Sequence, residues 1–197
     1  IFFFFSMQET LKGLRKRLRD KALLFTFRTR GEGGNCSISS EAYDQLNESA
    51  ALEGADLVDV EAFLEEERTT HRICRLQKMG CRVIASNHDF QKTPPAEEMI
   101  RRLQRMEELG ADAAKLAVMP VKRQDVLELL KATMRADEIL SIPVVTMSMG
   151  GLGTVSRICG RLTGSAMTFA SVGEKSAPGQ IPLGGMQEAL KLLAYSV

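Results

Sequence analysis

Several features that mark specialised classes of protein are scarce or missing in this 197-residue sequence. Its four cysteines form no CxxC pair and no spacing typical of metal ligands, which favours a reduced, cytoplasmic protein over a disulfide-stabilised or metal-binding one. Lysine and arginine together number 26 against 25 acidic residues, so the net charge of +1 provides no general attraction to nucleic acid or to a membrane. Any anion binding must therefore depend on a local site.

The sequence also has little that resembles a targeting segment. The apolar run Ile1–Phe5 is too short for a membrane span or a signal peptide, and no cleavage-type segment follows it. Because the chain begins with Ile rather than Met, we interpret its start as a fragment edge or a processed end. No linker, second compositional block or low-complexity tract interrupts the remainder, so we expect a single domain over residues 1–197 and no membrane partner.

Short apolar runs alternate with amphipathic helices along the chain. The runs with the length and flanking residues of strands are Leu23–Phe27, Asp56–Val60, Cys81–Ala85, Ala113–Val118, Pro143–Met147 and Met167–Val172. Helical spacing and helix-ending glycines predict helices at Gln8–Arg19, from Ser40 to Ala50, up to Leu76 before Gly80, from Pro94 to Gly110, and at Gln124–Ile139, Thr154–Leu162 and Leu183–Leu193. This alternation predicts βαβ units built on a parallel sheet, and hence an α/β fold.

Two architectures fit such a sheet, an open doubly wound sheet and a closed barrel. Side chains with functional potential lie at or after the predicted strands, at Arg28, His88, Lys115 and Met147–Met149. In a barrel these side chains would converge at one mouth, so we favour the barrel. A closed barrel has eight strands and about 250 residues, whereas this chain supplies about six strands after an initial helix. We therefore expect a (β/α)8 TIM barrel that lacks its first two strands.

Lys115 lies in the otherwise apolar strand Ala113–Val118. Burial of an ammonium group without a partner is costly, and a desolvated amine is a nucleophile that can form an imine with a ketone. The alternative is a lysine whose side chain extends from the strand end into solvent.

His88 follows the apolar strand Cys81–Ala85 and is one of only two histidines in the sequence. Imidazole transfers protons near neutral pH, as an imine pathway requires repeatedly. A histidine at a strand end is equally often a structural hydrogen-bonding residue. The other histidine, His71, lies on a charged helix and is interpreted as solvent-exposed.

The glycine-rich segment Met147–Arg157 lacks the G-x-G-x-x-G order and the later acidic residue of a dinucleotide site. Its turn into a helix still offers backbone N–H groups to an anion, and Arg157 is placed to bind a carboxylate. The alternative for Arg157 is a surface ion pair. The polar, turn-rich segment Glu174–Gln180 is either a mobile lid or an ordinary connection.

Taken in order, these segments resemble the type I 3-dehydroquinate dehydratases from Leu23 to the C-terminus. The resemblance rests on motifs at compatible spacing, which are Phe25–Thr29 with Glu32–Gly34, Ser86–Phe90, Lys115–Pro120, Met147–Met149 with Ser156–Arg157, and Ser176–Gln180. It implies a cytoplasmic, homodimeric TIM-barrel lyase of the shikimate pathway. Such an enzyme dehydrates the carboxylate 3-dehydroquinate to 3-dehydroshikimate without a metal or an organic cofactor.

The resemblance also implies a role for each matching residue. Lys115 would form the imine with the substrate ketone, His88 would shuttle protons, and Glu32 would orient that histidine. The substrate-binding residues that it implies are Arg28, Arg157, Ser176, Gln180, Met147, Met149 and Phe169. Among these, Arg157 would bind the carboxylate, the serine and the glutamine would lie on the lid, and the apolar side chains would form the wall of the site.

The front of the family pattern has no counterpart in this sequence. The missing parts are the opening strand, the first helix and the second strand with its Glu-x-Arg substrate-contact motif. This difference supports one alternative, a catalytically silent remnant that binds ligand weakly or only assembles with partners. A second alternative is another lysine-dependent barrel lyase of aldolase type, which the context of His88 and the serine–glutamine lid disfavour.

Overall fold

The computed structural model describes residues 2–194, with side chains described from residue 6 onward, so the side chains of the run Ile1–Phe5 lie outside the described residues. The α-helices are α1 (Phe2–Leu18), α2 (Ser40–Leu52), α3 (Glu66–Lys78), α4 (Ala96–Glu108), α5 (Arg123–Ile139), α6 (Gly160–Thr163) and α7 (Leu183–Ala194). The strands are β1 (Leu24–Thr26), β2 (Leu57–Glu61), β3 (Arg82–Asp89), β4 (Ala113–Val118), β5 (Val144–Ser148), β6 (Ala170–Ser171) and β7 (Ile181–Pro182). The 3-10 helices are Arg30–Glu32 and Thr154–Arg157.

Five of the strands form one sheet in the order β1-β2-β3-β4-β5. β1 pairs in parallel with β2, with Thr26 opposite Asp59. β2 pairs in parallel with β3, with Glu61 opposite Ser86. The carboxyl ends of these three strands therefore share one edge of the sheet. The predicted α/β fold with strands and helices in alternation is confirmed.

The chain forms two compact units. The first comprises Ile1–Asn87 and Met106–Ala114, and the second comprises His88–Arg105 and Lys115–Val197. Fully buried large side chains in the first unit include Tyr43, Leu46, Ile73, Leu76 and Ile84. Those in the second unit include Met99, Leu103, Leu116, Leu129 and Met149. The assignment of residues 1–197 to a single domain stays a prediction.

Polar contacts attach helix α1 to the first unit. Gln8 Nε2 donates to Ser49 Oγ of α2 at 2.9 Å, and Arg15 donates to the Gly54 carbonyl from Nη2 at 2.7 Å. Leu11, on the same helix, is buried. Neither α1 nor any other helix within residues 2–194 combines the length and the hydropathy that a membrane span requires.

Two glycines terminate helices where the sequence predicts helix ends. Gly80 follows α3 with φ +90°, and Gly110 follows α4 with φ +91°. This left-handed conformation is readily accessible only to residues without a Cβ atom, and it turns the chain into the following strand. The predicted ends of these helices at Gly80 and Gly110 are confirmed.

The predicted helix Thr154–Leu162 is wrong. The chain instead forms the 3-10 helix Thr154–Arg157 followed by the short helix α6. Ser156 accounts for part of this difference, because its Oγ accepts a hydrogen bond from Ser148 N at 2.9 Å and donates to Gly153 O at 2.7 Å. A serine hydroxyl that bonds nearby backbone groups competes with regular helical hydrogen bonds.

The sixth predicted strand, Met167–Val172, is shorter than predicted and does not join the main sheet. Only Ala170–Ser171 is a strand, and it pairs in parallel with β7. Pro182 in β7 has no N–H to donate, which limits the length of this ladder. The prediction of about six βα units is therefore corrected, within the described residues, to five strands in one sheet and a separate two-stranded pair.

Candidate active site

An apolar cluster lies toward the carboxyl ends of β4 and β5 in the second unit. Its buried members are Ala117, Val145, Met147 and Met149, and the partly buried side chains packed against it are Phe90, Met119 and Phe169. The structure thus brings together the two methionines and the phenylalanine predicted for the wall of the site. This apolar cluster provides a surface of low polarity for a small ligand.

Lys115 is the third residue of β4 and is only 6% exposed. Its Nζ lies 4.8 Å from the centroid of the Phe169 ring, which is the geometry of a cation–π contact. The neighbouring Ala114 and Leu116 are fully buried. The alternative in which this lysine extends into solvent is therefore wrong, and its amine lies on the apolar cluster.

Arg157 ends the 3-10 helix that follows β5 and is 2% exposed. Its Nη2 donates to the Pro178 carbonyl at 3.0 Å, and its Nη1 lies 3.8 Å from Met147 Sδ. Among the described residues no carboxylate pairs with this guanidinium, and its buried Nε has no hydrogen-bond partner. Burial lowers the pKa of the guanidinium from its ordinary value, although arginine remains a cation near neutral pH. The alternative of a surface ion pair is wrong.

The predicted lid, Glu174–Gln180, is docked against the glycine-rich turn after β5. Ser176 N donates to Gln180 Oε1 at 2.9 Å, and Gln180 Nε2 donates to Ser176 Oγ at 2.9 Å. The Pro178 carbonyl accepts a hydrogen bond from Gly150 N at 3.2 Å in addition to the one from the arginine. The lid therefore contacts the guanidinium directly.

Close approach of two backbones requires a glycine in this lid. Gly179 has φ +76°, and a Cβ atom at this position would overlap the carbonyl of Gly150. A side chain here would combine backbone strain with a steric clash, so the docked position of the lid depends on Gly179.

His88 is the penultimate residue of β3, which extends to Asp89 instead of ending at Ala85 as predicted. It is half-buried. The chain after it is fixed by Asp89, whose Oδ1 accepts hydrogen bonds from Gln91 N and Lys92 N at 3.0 Å each. The imidazole is thus carried by a strand whose end is held by a local turn.

The second histidine behaves differently. His71 is exposed on α3, as its interpretation as a solvent-exposed helix residue predicts. Between the two histidines, only His88 has the partial burial and strand-end position expected of a proton-transfer residue in an active site.

Arg28 is the centre of a second group of charged side chains, which belongs to the first unit. Its Nη1 donates to Ser86 Oγ at 3.0 Å and to Glu61 Oε1 at 3.2 Å, and its Nη2 donates to Asp59 Oδ1 at 2.6 Å. Nη1 also lies 3.4 Å from Glu32 Oε2. Burial lowers the pKa of the Arg28 guanidinium, but the surrounding carboxylates outweigh this effect and raise that pKa above its ordinary value.

Glu32 is held on both sides of its carboxylate. Arg28 contacts Oε2, and Asn87 Nδ2 donates to Oε1 at 3.0 Å. The structure therefore brings together Arg28 and Glu32, the two residues predicted for this part of the chain. The predicted pairing of Glu32 with His88 stays a prediction.

Sequence reasoning missed Asp59 and Glu61, which have side chains 0% and 1% exposed. The signal that could have found them is the composition of β2, where two acidic residues alternate with valines in an otherwise buried strand. Buried carboxylates of this kind need charged or hydrogen-bonding partners. Within the described residues, no group of histidine, cysteine, aspartate and glutamate side chains is arranged to hold a metal ion.

The fold and these groups define an α/β protein with parallel strands and with buried lysine and arginine side chains on one apolar cluster. The profile of the type I 3-dehydroquinase family matches residues 4–196. The 3-dehydroquinate dehydratase of Klebsiella pneumoniae (strain 342) is 49% identical over 186 residues, which are 93% of this chain and 74% of that protein. The chain therefore belongs to the type I 3-dehydroquinase family.

Solved structures agree with this assignment. A type I 3-dehydroquinate dehydratase from Clostridium difficile, solved with covalently modified comenic acid, is 44% identical with a TM-score of 0.92, and the match covers 98% of this chain and 77% of that one. The 3-dehydroquinate dehydratase of Geobacillus kaustophilus HTA426 is 38% identical with a TM-score of 0.93, with coverage of 96% and 74%. These neighbours are TIM-barrel-like enzymes, so the predicted fold class is confirmed.

Proposed function

We propose that the chain is a lyase that dehydrates 3-dehydroquinate to 3-dehydroshikimate through an imine on Lys115. The observation that carries the proposal is the presence of two buried basic side chains, Lys115 and Arg157, on one apolar cluster. The substrate has a ketone and a carboxylate, which are the groups that an amine nucleophile and a guanidinium recognise. The family membership supports the same reaction.

Arg157 has the environment of a carboxylate-binding residue. A guanidinium that is buried without an acidic partner carries an uncompensated desolvation cost, which an anionic ligand would offset. Its Nε is free of any hydrogen bond within the described residues, so it can donate to a ligand without breaking an existing contact. A planar guanidinium can bind a carboxylate through two parallel hydrogen bonds.

Lys115 supplies the covalent chemistry. Its amine nitrogen attacks the ketone carbon, and the ketone oxygen leaves as water when the imine forms. The imine withdraws electrons from the neighbouring carbon, so a proton is removed there and an enamine forms. The enamine then expels the β-hydroxyl as water, and a water molecule hydrolyses the imine to release product and free lysine. One water is lost overall.

His88 is the proton-transfer residue of the proposal, and Glu32 is its orienting partner. Each step that forms or hydrolyses the imine moves a proton, and expulsion of the hydroxyl needs a proton donor. The position of His88 at the end of β3 supports the first role. The role of Glu32 rests on the family resemblance and on the firm placement of its carboxylate between Arg28 and Asn87.

The remaining site residues bind and enclose the substrate. Ser176 and Gln180 belong to the docked lid, which would exclude water from the imine. Arg28 remains a proposed substrate contact, although its guanidinium here donates to several side chains of the protein. A cytoplasmic location and a homodimer are part of the proposal on the resemblance alone.

The proposal predicts both turnover and a covalent adduct. The protein incubated with 3-dehydroquinate should form a conjugated enone that is detected by ultraviolet absorbance. Borohydride added during turnover should reduce the imine and leave a ligand mass on a peptide that contains Lys115. The variant Lys115→Met should lose both signals, whereas Lys131→Met, which changes an exposed lysine on α5, should retain them.

Two outcomes would contradict the proposal. An adduct on a lysine other than Lys115 would refute the assignment of the nucleophile. Ligand binding without turnover or adduct would favour the catalytically silent alternative, in which the chain keeps the site but does not perform the reaction.

A further inference from the structure

Glu61 is a carboxylate that the proposed reaction does not use, and it is almost completely buried at the end of β2. Its Oε1 accepts hydrogen bonds from Thr29 N at 2.7 Å and from Arg28 Nη1 at 3.2 Å. Its Oε2 accepts from the Thr29 hydroxyl at 2.7 Å. All of these donors belong to the two residues that precede the 3-10 helix on which Glu32 lies.

Thr29 connects Glu61 to the turn that carries Glu32. Thr29 is the N-cap of the 3-10 helix, but its hydroxyl makes no capping hydrogen bond and donates to Glu61 instead. The Thr29 carbonyl accepts hydrogen bonds from Glu32 N at 3.1 Å and from Gly34 N at 2.8 Å. Thr29, the residue that Glu61 holds through its N–H and its hydroxyl, therefore also holds the backbone of Glu32 through its carbonyl.

The same turn has little freedom to adopt another position. A Cβ atom at Gly34 would overlap the carbonyl of Arg28. The backbone at Gly34 therefore packs directly against the backbone at Arg28, where the turn begins. Glu61 provides the anchor of this folded-back turn from the neighbouring strand, since it bonds both the backbone and the side chain of Thr29.

Arg28 provides a second link between Glu61 and Glu32, in addition to the link through Thr29, because its Nη1 contacts both carboxylates. We infer that Glu61 is a positioning residue for Glu32, which it places through Thr29 and through the shared guanidinium. The inference rests on the proposed function, because it gives Glu61 importance only through the role of Glu32 in catalysis.

The charge balance around Glu61 supports this inference. Burial and the negative charge of Glu32 raise the pKa of the Glu61 carboxyl above its ordinary value, while Thr29 and Arg28 act in the opposite direction. The charged form of Glu61 is therefore stabilised by the hydrogen bonds from Thr29 and Arg28. The same hydrogen bonds attach the turn to the end of β2.

The variant Glu61→Gln tests the inference. Glutamine has nearly the same shape, but one carboxylate oxygen becomes an NH2 donor that cannot accept from Thr29. We expect kcat to fall about 10- to 100-fold, which corresponds to the loss of a hydrogen bond to a charged group, while KM changes little. Asp112→Asn is the matched control, because Asp112 also binds a backbone N–H (Val83) and an arginine (Arg82) but lies just before β4. It should leave kcat unchanged.

A double-variant cycle separates positioning from general structural damage. If Glu61 acts through Glu32, then adding Glu61→Gln to Glu32→Gln should reduce kcat little further, because the group being positioned is already altered. A full, multiplicative loss in the double variant would overturn the inference. If Glu32→Gln alone left kcat unchanged, the role of Glu32 in the proposed function would be refuted, and the inference with it.

A pair of conservative variants keeps the inference testable if Glu61→Gln fails to fold. Thr29→Val removes only the hydroxyl that donates to Glu61, whereas Thr29→Ser keeps it. The serine variant should retain most of the activity and the valine variant should lose about tenfold in kcat, as expected for one hydrogen bond to a buried carboxylate. Equal kcat values for the two variants would contradict the positioning role.

Discussion

Replacement of Arg157 by methionine should weaken substrate binding and, at the same time, stabilise the ligand-free protein. The guanidinium is buried beside Met147, has no acidic partner among the described residues and leaves its Nε unbonded. Methionine has a similar length and an adaptable apolar side chain, so it can occupy the space of the arginine without a buried charge. The substitution therefore removes the anion-binding group and the desolvation cost together.

The magnitudes follow from the contacts of Arg157. Loss of its hydrogen bond to the Pro178 carbonyl costs about 1.5–3 kcal/mol in free energy of unfolding, and that carbonyl keeps its bond from Gly150 N. Removal of a buried unpaired ion recovers several kcal/mol, so we expect the free energy of unfolding to rise by about 1 kcal/mol or more. Loss of a buried charged contact to the carboxylate costs about 2–5 kcal/mol, or about 30-fold to a few thousand-fold in affinity.

Two measurements check this prediction. Denaturant unfolding of the ligand-free protein gives the change in stability, and equilibrium binding of the substrate and of an analogue without the carboxylate gives the change in affinity. Arg161→Met is the matched control, because Arg161 is an exposed arginine on α6 and should affect neither quantity. A lower stability for Arg157→Met, combined with equal losses of affinity for both ligands, would show that Arg157 is a structural residue.

His88→Ala should slow turnover by about 10²- to 10⁴-fold, the usual contribution of a general acid–base group, whereas alanine at the exposed His71 should leave the rate unchanged. Glu32→Gln should reduce the rate less than His88→Ala and shift its pH profile, because the side chain keeps its shape and loses its charge; an unchanged pH profile would contradict the orienting role. Gly179→Ala should raise KM more than Gly173→Ala, since both positions have positive φ but only the former substitution creates a clash. Equal KM values for the two glycine variants would show that docking of the lid does not contribute to binding.

Much of the fold could be predicted from the sequence because its signals are local. The strand Ala113–Val118 has the predicted bounds, and helices α3 and α4 end before the predicted glycines. Where local signals conflict with tertiary contacts, prediction fails. The predicted helix Thr154–Leu162 is broken in part because the side chain of Ser156 bonds the backbone of Ser148, a contact that no pattern in the segment reveals.

In the candidate site, too, local sequence signals predict some features, whereas tertiary contacts decide others. The apolar flanks of Lys115 predict its burial, and the motif resemblance selects the other site residues, whose catalytic roles stay predictions. The sequence did not reveal that Arg157 would be buried without an ion pair, because that depends on which side chains approach it from distant segments. It also did not reveal that Glu61 would bond to Thr29.

The sequence by itself determined the alternation of strands and helices, the family and the residues to consider, since periodicity, glycine positions and motif order are properties of neighbouring residues. Only the tertiary structure decided which charges are paired. Arg28 is surrounded by carboxylates from β2 and the adjacent turn, whereas the partners that Arg157 finds among the described residues are a carbonyl and a thioether. The physical reason is that the energy of a buried charge depends on the groups that folding brings within a few ångströms, whatever their separation along the chain.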